Sequence, residues 1–131
     1  MGSWQAVPDE PEHASDDWLI LRGGDLGGSS REKNLRDVHE AYGIWGVCAT
    51  SQAGLTAEEL APMVRCGNKM LMPGVVSDLR KEGFDVVAEP GKAWPDALIV
   101  FPGEPGPEEW DSLRTVMLAR DRIPNPKYRG K

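Results

Sequence analysis

The stretch that most constrains this chain is Trp18-Leu19-Ile20-Leu21-Arg22-Gly23-Gly24. Successive apolar residues fit a strand buried on both faces, not an element wetted on one. The strand then meets an arginine and the run Gly23-Gly24-Asp25-Leu26-Gly27-Gly28, which forces a turn. Ser29 and Glu32 have the spacing of a capping box, so a helix opens directly beyond it, from about Ser30 to Tyr42. Leu35, Val38 and Tyr42 share one face of that helix, with His39 beside them, and Gly43 supplies its C-cap.

Further elements alternate along the chain. Ile44 to Ala49 reads as a second strand, followed by a loop from Thr50 to Gly54. Thr56 and Glu59 form a second capping box, and the helix they open is kinked or shortened at Pro62. Asn68 to Met72 carries no clear signal. Pro73 is placed in the first turn of a third helix, which buries Val76 and Leu79 and stops at Gly83, with Leu79 and Phe84 touching across a Schellman ending. Phe84 to Glu89 alternates as a strand does, and a loop joins it to a buried strand, Ala97 to Phe101, in an antiparallel hairpin. Pro107 starts the last helix, with Glu108 and Glu109 favourable at its N-terminus and Trp110, Leu113 and Met117 as its apolar stripe.

The expected fold is therefore a single α/β (α+β) domain over residues 18–121. It has a mixed sheet of about four strands with helices packed on it, in the order β-α-β-α-α-β-β-α. An acidic arm, residues 1–17, precedes it. The arm has five acids and no Lys or Arg, and reads as flexible unless Trp4 and Val7 dock it. A tail, residues 122–131, follows with four bases, two prolines and no acid. Arm and tail either pair within one molecule or reach separate partners.

Composition removes several functions. At 131 residues the chain buries enough surface to fold without a metal or disulfide. Its net charge of −6 argues against a nucleic-acid partner, whose affinity comes from clustered Lys and Arg. The longest apolar run is about five residues, far short of the roughly 20 that span a bilayer. No basic start followed by an apolar core marks a leader, so the expectation is a soluble, cytoplasmic protein with both thiols reduced. Cys48, Cys66, His13 and His39 match no zinc spacing, so no metal is expected.

Candidate site residues come next. The turn that holds Gly23 and Gly24 sits where backbone N–H groups hold an anion, but it matches neither G-x-G-x-x-G nor a P-loop. Cys66, beside Gly67, is the better candidate nucleophile of the two cysteines. His39 is a boundary histidine or, given a pocket, a general base. Trp94, in a Pro-rich loop, either folds back on the sheet or anchors a partner, and Trp4 in the arm offers a second anchor.

Arg22 ends the first strand, Ser51 follows the second, and Glu104 follows a later one. This spacing resembles that of ADP-ribosyltransferases, with a first-strand arginine, a serine-bearing second strand and a downstream catalytic glutamate. The resemblance covers about 35 residues plus one distant acid. It implies that Arg22 and Ser51 hold NAD and that Glu104, or equally Glu89, activates the acceptor. The family's Ser-Thr-Ser and Glu-x-Glu patterns are replaced by Ala49-Thr50-Ser51 and Gly103-Glu104-Pro105. The residues themselves favour a binding or regulatory module acting through protein–protein contacts, without cofactor. The alternative is an NAD-using, toxin-like effector with Arg22, Ser51 and Glu104 in one cleft.

Overall fold

Ile20 and Leu21 are wholly buried and point to opposite faces of the sheet, as an uninterrupted apolar run requires. A computed structural model describes residues 11–23, 29–65 and 68–128, the side chains of Ser29 and Ser30 aside. Among them, six strands form one sheet: β1 Leu19–Gly23, β2 Gly46–Ser51, β3 Met70–Val75, β4 Asp85–Ala88, β5 Asp96–Val100 and β6 Ile123–Pro124. Their order is β4-β5-β2-β1-β3-β6. Every pairing is antiparallel. Four helices accompany them: α1 Ser29–Tyr42, α2 Ala57–Leu60, α3 Val76–Lys81 and α4 Pro107–Leu118.

The expected α+β domain is present, but with six strands where about four are expected, and the sheet is antiparallel instead of mixed. The extra strands are β3 and β6. β3 contains Pro73, assigned from sequence to a helix start. It fits a strand because β6 covers only Met70 and Leu71, so beyond them the outer side of β3 has no ladder to lose. Gly74 sits beside it because α4 crosses there: a Cβ on Gly74 would stand 2.7 Å from Met117 Sδ. β2 also runs further than expected, through Thr50 and Ser51.

Local signals hold at α2 and α3, while the Ser29 capping box and the turn from Gly24 to Gly28 lie outside the described residues and side chains. Thr56 Oγ1 accepts from Glu59 N–H at 3.2 Å and Glu59 Oε1 accepts from Thr56 N–H at 2.9 Å. α2 then stops at Leu60, and Pro62 lies in a 3-10 turn over Ala61–Met63. Gly83, at φ 95°, closes α3. Phe84 N–H donates to Leu79 O at 3.0 Å and Gly83 N–H to Arg80 O at 3.1 Å, the two bonds of a Schellman ending.

Side chains alternate between two covers. On one face Ile20, Val47, Met72, Val86 and Ile99 pack with Val76 and Leu79 of α3 and with Trp110, Leu113 and Met117 of α4. The opposite face has two separate apolar patches. Leu21 and Leu71 meet Leu60, Ala61 and Val64. Val87 and Leu98 meet Val38 of α1. Between these patches part of β2 lacks an apolar cover.

Both flanking segments bind the sheet where they are described. Residues 11–17 lie along the outer edge of β4: Ala14 N–H donates to Val86 O at 2.9 Å and Ala88 N–H to Glu12 O at 2.8 Å. Ala14 is buried in the main cluster. At the other edge β6 extends β3, and Asn125, buried, donates its backbone N–H to Lys69 O and its side-chain amide to Asn68 O, both at 2.9 Å.

Candidate functional site

The site begins with an interrupted ladder. β1 and β2 pair only at Ile20↔Ser51 and Leu21↔Thr50. Continued by two residues, that register would set Gly23 against Cys48. Instead, side chains take the backbone of Cys48. Asn34 Oδ1, from α1, accepts its N–H at 2.9 Å, and Arg22 Nη1 donates to its carbonyl oxygen at 2.6 Å. The polar groups are thus satisfied while the strands stand apart.

The opening leaves a cavity of about 230 Å³ between the two apolar patches. Leu21 and Val64 supply apolar walls, and Thr50 and Cys48 face it from β2. Its charged residues, among those described, are Arg22, Arg65, Lys92, Glu89 and Asp96. Glu89 is largely buried and takes two partners: Tyr42 Oη donates at 2.5 Å and Lys92 Nζ lies at 3.3 Å. The hydrogen bond to Glu89, aided by burial, pushes the Tyr42 hydroxyl up to about 12, so Tyr42 stays a neutral donor at ordinary pH. Arg65 Nη2 lies 3.6 Å from Asp96 Oδ2, with its own side chain mostly in solvent.

Of the residues singled out from sequence, Arg22, Gly23, Cys48 and the alternative acid Glu89 line this cavity; Ser51 and Glu104 do not. Ser51 is fully buried, with its hydroxyl donating to Leu19 O at 2.5 Å. β5 ends at Val100 opposite Gly46. Glu104, exposed on the loop beyond, therefore follows the far end of β2 from Ser51, a strand length of roughly 17 Å. Trp94 packs on its own chain: its ring meets Trp18 edge-on at 4.7 Å, and its Nε1–H donates to Glu12 at 2.9 Å. His39 stacks on Trp45 with ring centroids 3.7 Å apart. Trp4, Gly24 and Cys66 lie outside the described residues.

Sequence reasoning passed over Asn34, Tyr42, Thr50, Arg65, Lys92 and Asp96. Asn34 and Tyr42 come from α1, Thr50 from β2, Asp96 from β5, and Arg65 and Lys92 from loops, so only the folded sheet assembles them. Among the described residues no group of three His, Cys, Asp or Glu is placed to hold a metal. No described helix is long and apolar enough to cross a membrane. The chain matches no protein-family model, no curated protein and no solved structure.

Proposed function

We propose that the chain is a small binding or regulatory module that recognises a protein partner through the cleft between β1 and β2. The opened ladder carries this reading. Asn34 and Arg22 hold the Cys48 backbone, so the gap is set before any partner arrives, and a preset cleft lowers the ordering cost of binding. Charges of both signs line it, which suits selective recognition. Its volume lies below the roughly 300–1,000 Å³ of sites for drug-sized ligands, and fits a side chain or chain end.

The test compares immobilised wild-type protein with Arg65→Glu. Arg65 is exposed, so reversing its charge leaves the fold intact. The expected result is a partner held by wild type and released by the variant at an unchanged melting temperature. Identical capture by both removes the cleft as the interface.

The NAD-using, ADP-ribosyltransferase-like reading is supported by Arg22 and the alternative acid Glu89 lining one cleft. The hydroxyl of its second residue, Ser51, is turned into the sheet. A rise in melting temperature with millimolar NAD, lost in Arg22→Ala, supports it; no rise removes it.

A further inference from the structure

We infer that the cleft receives a primary amide, the side chain of an Asn or Gln on the partner, between the Thr50 hydroxyl and the Asp96 carboxylate. This deepens the reading just given and rests on it. Thr50 of β2 and Asp96 of β5 are direct cross-strand partners. Next to them Ser51 N–H donates to Pro95 O at 3.0 Å, which makes Thr50↔Asp96 a pair without main-chain bonds of its own, the kind whose side chains stand closest. Both line the cavity, on the sheet face that carries Cys48 and Leu98 two residues along each strand. Cβ atoms of such a pair lie about 4.5–5.5 Å apart.

Both groups have hydrogen-bonding capacity to offer. Thr50 is 7% exposed, yet its hydroxyl makes no hydrogen bond among the described residues. Among the same residues the mostly buried Asp96 carboxylate meets Arg65 Nη2 alone, at 3.6 Å, beyond hydrogen-bond range. Buried polar groups call for partners. An ionised carboxylate accepts and cannot donate, whereas a hydroxyl donates. An amide matches this pair, its NH2 donating to Asp96 and its carbonyl oxygen accepting from Thr50. A carboxylate in the same place would stand against Asp96, and an ammonium against Arg65 and Lys92, so the neutral group is selected over its charged analogues. Arg65 is mostly in solvent, and an exposed ion pair holds weakly, so it yields Asp96 to the amide. Leu21 and Val64 give an apolar wall to the methylenes that carry the amide.

The experiment follows amide chemical shifts of the whole chain while N-acetyl-glutamine methylamide is added, with its glutamate and methionine analogues as comparisons. The glutamine probe is expected to give saturable shifts at Ala49, Thr50 and Asp96, with an affinity about ten-fold or more above either analogue. Its affinity falls about five-fold in Thr50→Val, which loses one neutral hydrogen bond, and about ten-fold or more in Asp96→Leu, which loses a charge-assisted one. It is unchanged in Arg120→Gln, whose arginine lies beside Asp78 away from the cleft. Thr50→Val keeps the branched shape and breaks no described bond, so it melts no lower than wild type, and the test survives if Asp96→Leu fails to fold. Glutamate or methionine probes that bind as tightly, no saturable shift, an unchanged affinity in Thr50→Val, or a lowered melting temperature in that variant overturns the inference. If the glutamine probe binds as expected but Arg65→Glu still captures its partner, only the protein-partner reading falls. If capture depends on Arg65 and the glutamine probe does not bind, only the amide falls.

Discussion

Arg80 donates to Asp16 and to the carbonyl oxygen of Ala14, each at 2.5 Å, and its Nε donates to Asp85 at 2.9 Å. Asp85 also accepts from Val86 N–H and stands 2.8 Å from His13 Nδ1. Burial pushes the Asp85 carboxyl up, but the Val86 N–H, the Arg80 guanidinium and the His13 charge outweigh it and hold it below the usual carboxylate range. A lowered folded value means stability that is fully present above the ordinary value and lost as pH falls from there through the lowered one. Arg80→Met is therefore expected to be less stable than wild type at neutral pH, with the gap narrowing as pH falls through about 4. Urea midpoints across that range check this; a constant gap would mean that Arg80 acts through its bond to Ala14 O and its packing, not through the carboxylates. None of the cluster is readable in the sequence as a unit, because His13, Asp16, Arg80 and Asp85 meet only once the chain has folded. Arg22 was legible for a different reason: a charged residue directly after a buried strand stands out by position alone.

At the scale of elements, the glycines separate two kinds of demand. Gly83 holds φ 95°, where a side chain is strained whatever the space, so Gly83→Ala is expected to cost about 1 kcal/mol or more through the Schellman ending. At Gly46 the demand is proximity: an added Cβ would stand 2.8 Å from the carbonyl oxygen of Ile99, a backbone atom that cannot swing aside. Gly46→Ala is expected to cost about 1–3 kcal/mol by overpacking the β2–β5 pair. Gly103, with open space and no positive φ, is the control, and Gly103→Ala should leave the denaturation midpoint nearly unchanged. Equal midpoints for all three variants would refute this division. The same contrast explains what the sequence disclosed. Capping boxes and the Schellman ending are local, so Thr56, Glu59, Leu79 and Phe84 could be placed from spacing alone. β3 was missed because Pro73 and Gly74 look like punctuation, whereas their tolerance depends on a short neighbouring strand and on Met117 crossing above.

At the scale of the molecule, the described parts of the acidic and basic flanks, residues 11–17 and 123–125, lie at opposite edges of one sheet. An open edge presents unpaired N–H and C=O groups that invite another chain. Residues 11–17 occupy the β4 edge through main-chain bonds at Ala14 and Ala88, and Asp16 O accepts from Ser77 N–H at 2.9 Å, at the start of α3. Backbone contacts of this kind carry no side-chain signature, which is why charge and prolines alone suggested a loose arm. Deleting residues 1–17 removes these three main-chain bonds, each worth about 1 kcal/mol net, along with the Arg80 bonds to Asp16 and Ala14, the His13–Asp85 and Trp94–Glu12 contacts and the buried Ala14, so the main-chain share alone sets a lower bound. A loss of roughly 3 kcal/mol lowers the melting temperature of a chain this size by about 10 °C. Hydrogen exchange should locate the change, with the amides of Ala88 and Ser77 losing protection while those of β2 and β5, in the centre of the sheet, keep most of theirs. The bared β4 edge should also make the shortened chain associate as its concentration rises, visible by sedimentation. A shortened chain that melts with wild type and stays monomeric would mean that the edge is protected by the curvature of the sheet, and that the segment is free to serve a partner.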